Sequence, residues 1–245
     1  MKALTYLSAA EVEPARVAGT TAAVIDVIRA TSTIVEALAN GVKAIYPTLS
    51  TEEAINLANS LGREDTLLCG ERKGLKVEGF DLGNSPGEFT PERVGGKRLV
   101  MSTTNGTRAF LAAAGAERVV AASFLNLGAV VRSLASAEAV TMVCAGREDR
   151  FSLDDVLCAG AILAGLEEEI EHTLELDDAS RAAIALANRF DVSLETLKLT
   201  AAGQALVDVG LGEDLPLCAE QDRHAIVPEM YDRMIRVGSA PPAEG

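Results

Sequence analysis

Four polar stretches in the 245-residue chain each follow an apolar run and carry groups able to meet an anion or a cation. In the first, Ala22 to Thr33 (AAVIDVIRATST), the apolar run closes on Asp26, and Arg29, Thr31 and Ser32 follow before a helical pattern begins. A carboxylate ending such a run is costly to bury without a partner, so Asp26 reads as a cation ligand or as a nucleophile toward phosphorus. Arg29 and the two hydroxyls suit phosphate oxygens. The second stretch, Cys69 to Pro86, puts Glu71 and Arg72 directly after an apolar run and continues through several glycines to Asn84 and Ser85. Glycine there lets backbone N–H groups approach an anion closely. The third, Met101 to Arg108, offers Thr103, Thr104, Asn105 and Thr107 as neutral donors and Arg108 as a planar fork for phosphate, carboxylate or sulfonate. The fourth, Val143 to Gly160, holds Arg147, Arg150 and, behind Ser152, the pair Asp154-Asp155, where the first turn of a helix favours carboxylates whatever their role. A hard cation such as magnesium, held by one or two carboxylates and a substrate phosphate, accounts for Asp26 together with Glu71, Asp154 or Asp155.

These four stretches need a scaffold that brings their polar ends together. Short β-branched apolar runs at 21–27, 43–47, 66–70, 97–102, 117–122 and 139–144 alternate with helical patterns at 31–40, 51–61, 105–114, 126–135 and 153–168. That alternation predicts an α/β fold of three layers, α/β/α, with a mostly parallel, doubly wound sheet. In such sheets ligands bind at the carboxyl ends of the strands, next to helix N-termini. Beyond residue 170 the pattern turns helical, at 177–190, 193–199, 201–209 and 213–222, and a polar tail from Ser239 is expected to fray. The expectation is one domain over residues 1–245, with about 170–236 mainly helical. Residues 71–96, rich in glycine, form a long connection that Phe80, Leu82 and Phe89 should anchor, as functional loops are anchored.

Composition limits the partners. A formal net charge of −14 repels a polyphosphate backbone, and no Lys/Arg run with interleaved aromatics offers an exception, so nucleic acid is excluded. No stretch reaches the 18 or so consecutive apolar residues of a membrane span. Glu11, Glu13 and Pro14 interrupt the N-terminal segment before a secretory signal could form, which points to the cytoplasm. The four cysteines, Cys69, Cys144, Cys158 and Cys218, lack metal-ligand spacing and read as reduced packing thiols. His172 and His224 fall outside all four stretches and read as structural or surface residues. An anionic substrate must therefore be met locally, by arginines, backbone N–H groups or a cation.

Taken jointly, DVIRATST (Asp26 to Thr33), GERKGLKVEGFDLGNSPGEF (Gly70 to Phe89), TTNGTR (Thr103 to Arg108) and FSLDDVLCAG (Phe151 to Gly160) resemble the 2-phosphosulfolactate phosphatase family in order and spacing. The likeness runs along most of residues 20–165 and returns at Asp214 to Pro228. It implies a magnesium-dependent hydrolysis of (2R)-phosphosulfolactate to sulfolactate and phosphate, a step of coenzyme M biosynthesis, with the four loops facing one cleft. Under that resemblance Asp26, Arg29, Glu71 and Arg72 are the expected catalytic residues. Thr31, Ser32, Asn84, Ser85, Thr104, Asn105, Thr107 and Arg108 are the expected substrate contacts, and Asp26, Glu71 and Asp155 the expected Mg2+ ligands. Where the family usually shows Glu-Asp this chain has Asp154-Asp155, which makes Asp155 the preferred ligand of the two. Arg29, Arg72 and Arg108 are three candidate forks for the phosphate, sulfonate and carboxylate of the substrate. The partners expected are this small phosphorylated anion and, if the chain self-associates, further copies of itself in a homo-oligomer.

Other chemistries fit less well. Haloacid dehalogenase phosphatases place an acid two residues after their nucleophilic Asp, where this chain has Ile28, so water is favoured over Asp26 as nucleophile. Cys144 and Arg150 have the Cys-x5-Arg spacing of thiol phosphatases, but Glu148 and Asp149 between them would raise the thiol pKa and repel a phosphate dianion. A phosphatase for another small phosphorylated acid, or a binding protein for a small anionic metabolite, uses the same loops; the cluster of carboxylates favours hydrolysis.

Overall fold

A computed structural model describes residues 1–238, so the tail from Ser239 lies outside the described residues. Its strands in chain order are β1 (Lys2–Tyr6), β2 (Thr21–Ile25), β3 (Ala44–Pro47), β4 (Thr66–Arg72), β5 (Leu75–Lys76), β6 (Arg98–Ser102), β7 (Arg118–Ala122), β8 (Ala139–Cys144), β9 (Glu175–Leu176), β10 (Pro228–Tyr231) and β11 (Met234–Val237). The helices are α1 (Pro14–Val17), α2 (Ala30–Ala39), α3 (Thr51–Leu61), α4 (Pro91–Val94), α5 (Gly106–Ala112), α6 (Leu127–Leu134), α7 (Leu153–Glu169), α8 (Asp178–Arg189), α9 (Leu194–Leu199), α10 (Ala201–Asp208) and α11 (Leu215–Cys218). The strands form one mixed sheet in the order β5-β4-β6-β3-β11-β10-β7-β2-β8-β1-β9.

The central strands are buried on both faces, which is why they read as nearly continuous apolar runs. Along β2 the side chains alternate between two cores: Ala23 and Ile25 pack with α6, α7 and the C-terminal helices, Ala22 and Val24 with α2 and α5. A smaller cluster seats Ala54 and Ala58 of α3 on Leu68 and Val100. These are the three layers expected. In the long connection after β4, Phe80, Leu82 and Phe89 are all buried. All four cysteines are buried and none is joined in a disulfide.

Three features depart from the sequence expectation. First, β4, β6 and β3 are mutually parallel, and so are β7, β2, β8, β1 and β9. Between these blocks sits the β10–β11 hairpin, antiparallel within itself, to β7 and to β3. Three reversals make the two blocks run in opposite senses along the sheet, unlike a doubly wound sheet. Twist of roughly 20–25° per strand over the five steps from β2 to β6 turns the strand direction by about 100–125°, which lets the carboxyl ends of both blocks converge. Second, residues 170–236 are not mainly helical throughout: α8 to α11 lie within 178–218, but β9, β10 and β11 are strands. The hairpin is short, buries mainly Met230 and Ile235, and turns through Asp232 and Arg233 at positive φ where Asn-Gly is the usual signal. Its pairing comes from β7 and β3, more than 100 residues away, and local pattern cannot show that. Third, β1 joins the sheet beside β8. The helix expected at 213–222 is a single 3-10 turn, Gly212–Asp214, followed by α11 with Pro216 in its first turn.

His224, in the loop before β10, meets Glu36 of α2 at 2.7 Å, and Arg223 donates to the same carboxylate at 3.1 Å. The C-terminal segment is thereby fastened to the helix that follows β2.

Candidate active site

Loops from the carboxyl ends of β2, β4, β6 and β8 bound one cleft of about 430 Å³. Asp26, Ile28 and Arg29 reach it from β2; Glu71, Lys73, Gly74 and Asn84 from β4; Thr103, Thr104 and Asn105 from β6; Arg147 and Glu148 from β8. Ala202, Ala205, Leu206 and Val209 of α10 and its C-terminus wall the remaining side, with Asp208 beside them.

Asp26 is buried at the end of β2. Its Oδ1 accepts the Ala30 N–H at 3.2 Å, and the Thr31 hydroxyl both accepts from the Asp26 N–H and donates to the Asp26 carbonyl. Ser32 Oγ donates to the Val27 carbonyl at 2.8 Å. Thr31 and Ser32 are therefore spent on folding the turn that aims Asp26. A Cβ at position 106 would lie 2.8 Å from Asp26 Oδ2, so only glycine lets α5 come this close to the carboxylate. Burial pushes the Asp26 carboxyl up to about 7, assisted by the charges of Asp154 and Glu71 and opposed by the Ala30 N–H and Arg29.

Glu71 is also buried, its Oε2 accepting the Gly74 N–H and its Oε1 the Thr104 N–H, each at 2.7 Å. It locks the loops after β4 and β6 together while facing the cleft. Asp155 does the same for β2 and β8: Oδ1 accepts from Val27 N–H and Oδ2 from Gly146 N–H, both at 2.9 Å. Burial, together with the charges of Asp154 and Asp26, raises its pKa well above the usual range. Asp155 does not line the cleft. Asp154 accepts from Ser152 Oγ at 2.6 Å, and burial raises its pKa too. Among the described residues no three His, Cys, Asp or Glu side chains converge closely enough to hold a metal ion. The two carboxylates in the cleft wall that belong to the expected ligand set are Asp26 and Glu71.

The expected arginine forks have other partners. Arg29 lines the cleft but donates to Asp214 Oδ2 at 2.6 Å, Ser85 Oγ at 3.0 Å and the Gly74 carbonyl at 2.6 Å; the Ile28–Arg29 peptide bond is cis. Ser85 in turn donates to Asp214. Arg72 turns onto β6, donating to the Ser102 carbonyl and hydroxyl. Arg108 is half exposed and pairs with Asp149 at 2.9 Å outside the cleft. Thr107 is buried and bonded to Thr103. Asn84, Thr104 and Asn105 do face the cleft. Lys73, without an assigned role in the sequence, and Arg147 also line the cleft; among the described residues Lys73 forms no salt bridge and Arg147 meets only its neighbour Glu148, at 4.0 Å. Lys73 is flanked by Arg72 and Gly74 in a two-residue turn at φ 53°, and that turn was the available signal. The α10 wall had none, since Ala and Leu at helical spacing read as core.

Buried carboxylates, cations and neutral donors gathered at the strand ends of an α/β/α sheet make a hydrolase site for a small anionic molecule. The chain belongs to the 2-phosphosulpholactate phosphatase family, whose model matches residues 6–233. It is 46% identical over 213 residues to a protein of Symbiobacterium thermophilum (86% of this chain, 91% of the relative) and 42% identical over 215 residues to one of Caldanaerobacter subterraneus (87% and 88%). A relative in Clostridium acetobutylicum is 38% identical over 230 residues, 94% of this chain and 97% of its own. All three are named "Probable 2-phosphosulfolactate phosphatase". Among the described residues no helix is long and apolar enough to cross a membrane.

Proposed function

We propose that the protein hydrolyses the phosphate monoester of (2R)-2-phosphosulfolactate to sulfolactate and phosphate, in the cytoplasm and with Mg2+ as cofactor. The observation that carries this reading is the one cleft lined by Asp26 and Glu71 together with Thr103, Thr104, Asn105, Lys73 and Arg147.

The donor set fits magnesium. Asp26 and Glu71 are hard oxygen donors oriented by backbone N–H groups, each oxygen keeping a further lone pair. Two carboxylates completed by phosphate oxygens and water are a set that Mg2+ accepts, and a cation offsets the desolvation that raises the Asp26 pKa. When bound, the ion supplies charge neutralisation at the phosphoryl oxygens and a more acidic water. The chain's own residues do the rest. Thr103, Thr104 and Asn105 offer neutral donors to the phosphoryl oxygens, Arg29 fixes the loops after β2 and β4, and the apolar α10 wall excludes water from one side. Ile28 lines the cleft where an aspartyl-phosphate enzyme would carry its acid, which supports water as the attacking group.

The test is phosphate release from a panel of phosphorylated three-carbon acids, with Mg2+ and after chelation. Turnover of phosphosulfolactate that stops on chelation and returns with Mg2+ is expected. Full turnover in the chelated sample would overturn the cofactor, and no release from any acid would overturn the hydrolase reading in favour of a binding protein.

A further inference from the structure

Three cations line the cleft, Arg29, Lys73 and Arg147, and they are not equivalent. Arg29 is committed to Asp214. Among the described residues Lys73 forms no salt bridge, and Arg147 meets only its chain neighbour Glu148, at 4.0 Å. Both stand on tight turns. Lys73 has φ 53° in the turn joining β4 to β5, and Arg147 pairs with Arg150 across Glu148 and Asp149 at φ 52° and 59°. Left-handed backbone disfavours a residue with a Cβ, so a lysine where asparagine or glycine fits better supplies something the turn itself does not need.

Asn84 adds an independent sign of a ligand. It is 4% exposed, lines the cleft, and its side-chain oxygen has no partner among the described residues, although its backbone carbonyl accepts from Thr33 Oγ1 at 2.9 Å. A buried amide with an unmet atom is unfavourable until a ligand meets it, and the amide can turn either its oxygen or its nitrogen to do so.

Resting on the phosphosulfolactate reading, we infer that Lys73, Arg147 and Asn84 form a subsite for the sulfonate, which hydrolysis leaves in place together with the carboxylate. Asp26 and Glu71 repel a second permanent anion, so the sulfonate belongs with Lys73 and Arg147, the two cleft cations not held by a buried carboxylate. Its three equivalent oxygens diverge like a tripod and are best met by separate donors from different directions, whereas a flat carboxylate is matched by one arginine fork. Lys73 stands in the β4–β5 turn, Asn84 in the stretch after β5 and Arg147 in the loop after β8.

The variants Lys73→Asn, which suits a left-handed turn, and Arg147→Gln are compared with wild type on phosphosulfolactate and on 2-phospholactate, which keeps the phosphate and carboxylate but lacks the sulfonate. Each variant should lower kcat/KM for phosphosulfolactate about 100-fold and for 2-phospholactate only about threefold, and Lys73→Arg should recover most of the loss. Equal falls on both substrates, or no fall on either, would overturn the subsite. Calorimetric binding of sulfolactate, which needs no turnover, separates this inference from the hydrolase reading. If wild type binds sulfolactate and Lys73→Asn does not, the subsite stands even where hydrolysis is absent. If wild type hydrolyses phosphosulfolactate yet both proteins bind sulfolactate equally, the hydrolase reading stands and the subsite falls.

Discussion

Arg29 Nη1 and Asp214 Oδ2 lie 2.6 Å apart although 185 residues separate them in the chain. The pair is nearly enclosed, with side-chain exposures of 3% and 13%. Through Gly74 and Ser85 the same guanidinium ties the β4–β5 turn to the stretch that follows β5. A residue from the C-terminal part of the chain thus completes the frame of the cleft without lining it.

Removing one partner of such a pair leaves the other charge buried and alone, so Asp214→Ala should cost about 3 kcal/mol in chemical denaturation. Arg29→Lys keeps the charge but loses the fork and should also destabilise and lower activity. Arg108→Lys, on an exposed pair with Asp149, should behave as wild type. A large kinetic defect in Arg108→Lys would show that Arg108 reaches the substrate after all.

Asp155 offers a different contrast. Both of its oxygens accept backbone N–H groups, so Asp155→Asn sets an NH2 against an N–H and should destabilise by about 2 kcal/mol or more, close to Asp155→Ala. If Asp155→Asn instead folds with wild-type stability but loses its response to Mg2+, Asp155 is a metal ligand and not a clamp.

Asp26→Asn should have the opposite sign. The Asp26 carboxyl is raised from 3.8 to about 7 in the fold, so below pH 3.8 folded and unfolded chains are both protonated and there is no penalty. As pH rises the unfolded chain releases its proton first, and the loss of stability grows until the folded carboxyl ionises near 7, then stays constant. Without added metal, Asp26→Asn should therefore match wild type near pH 4 and exceed it above pH 7 by roughly 2–4 kcal/mol, while its phosphatase activity is lost. Equal unfolding midpoints at pH 8 would refute the desolvated carboxylate.

Thiol chemistry should be silent. Burial, with the nearby charges of Asp155 and Asp154, holds the Cys144 thiol well above its usual pKa. Iodoacetamide at neutral pH should leave phosphate release unchanged in the native protein, and inactivation that tracks modification of Cys144 would revive the Cys-x5-Arg reading.

The parts of this molecule that were legible in the sequence are those whose cause is local. Apolar runs such as Thr21–Ile25 and Ala139–Cys144 announce buried strands, and Asp26 and Glu71 announce themselves by ending such runs. Asn84, Thr104 and Asn105, polar residues in turns between the apolar runs, line the same cleft. Arg29, Arg72 and Arg108 misled because a guanidinium's charge is visible in sequence while its partner is not; Asp214, Ser102 and Asp149 decide where each one points. Lys73 and Arg147 became candidates only once those partners were known. The central hairpin was hidden for a related reason, since β7 and β3, not its own four-residue strands, hold it in place.

That hairpin bears on how the chain matures. Residues 2–176 contain every strand of both parallel blocks, but the seam between β3 and β7 stays open until residues 228–237 are available to fill it. On the ribosome the two blocks can each begin to condense as they emerge, yet they cannot register against one another until nearly the last of the described residues has been made. The cleft draws on both blocks, so it is framed only once the hairpin is in place, and a nascent chain halted before residue 228 carries two unsatisfied strand edges that invite pairing with a neighbouring chain.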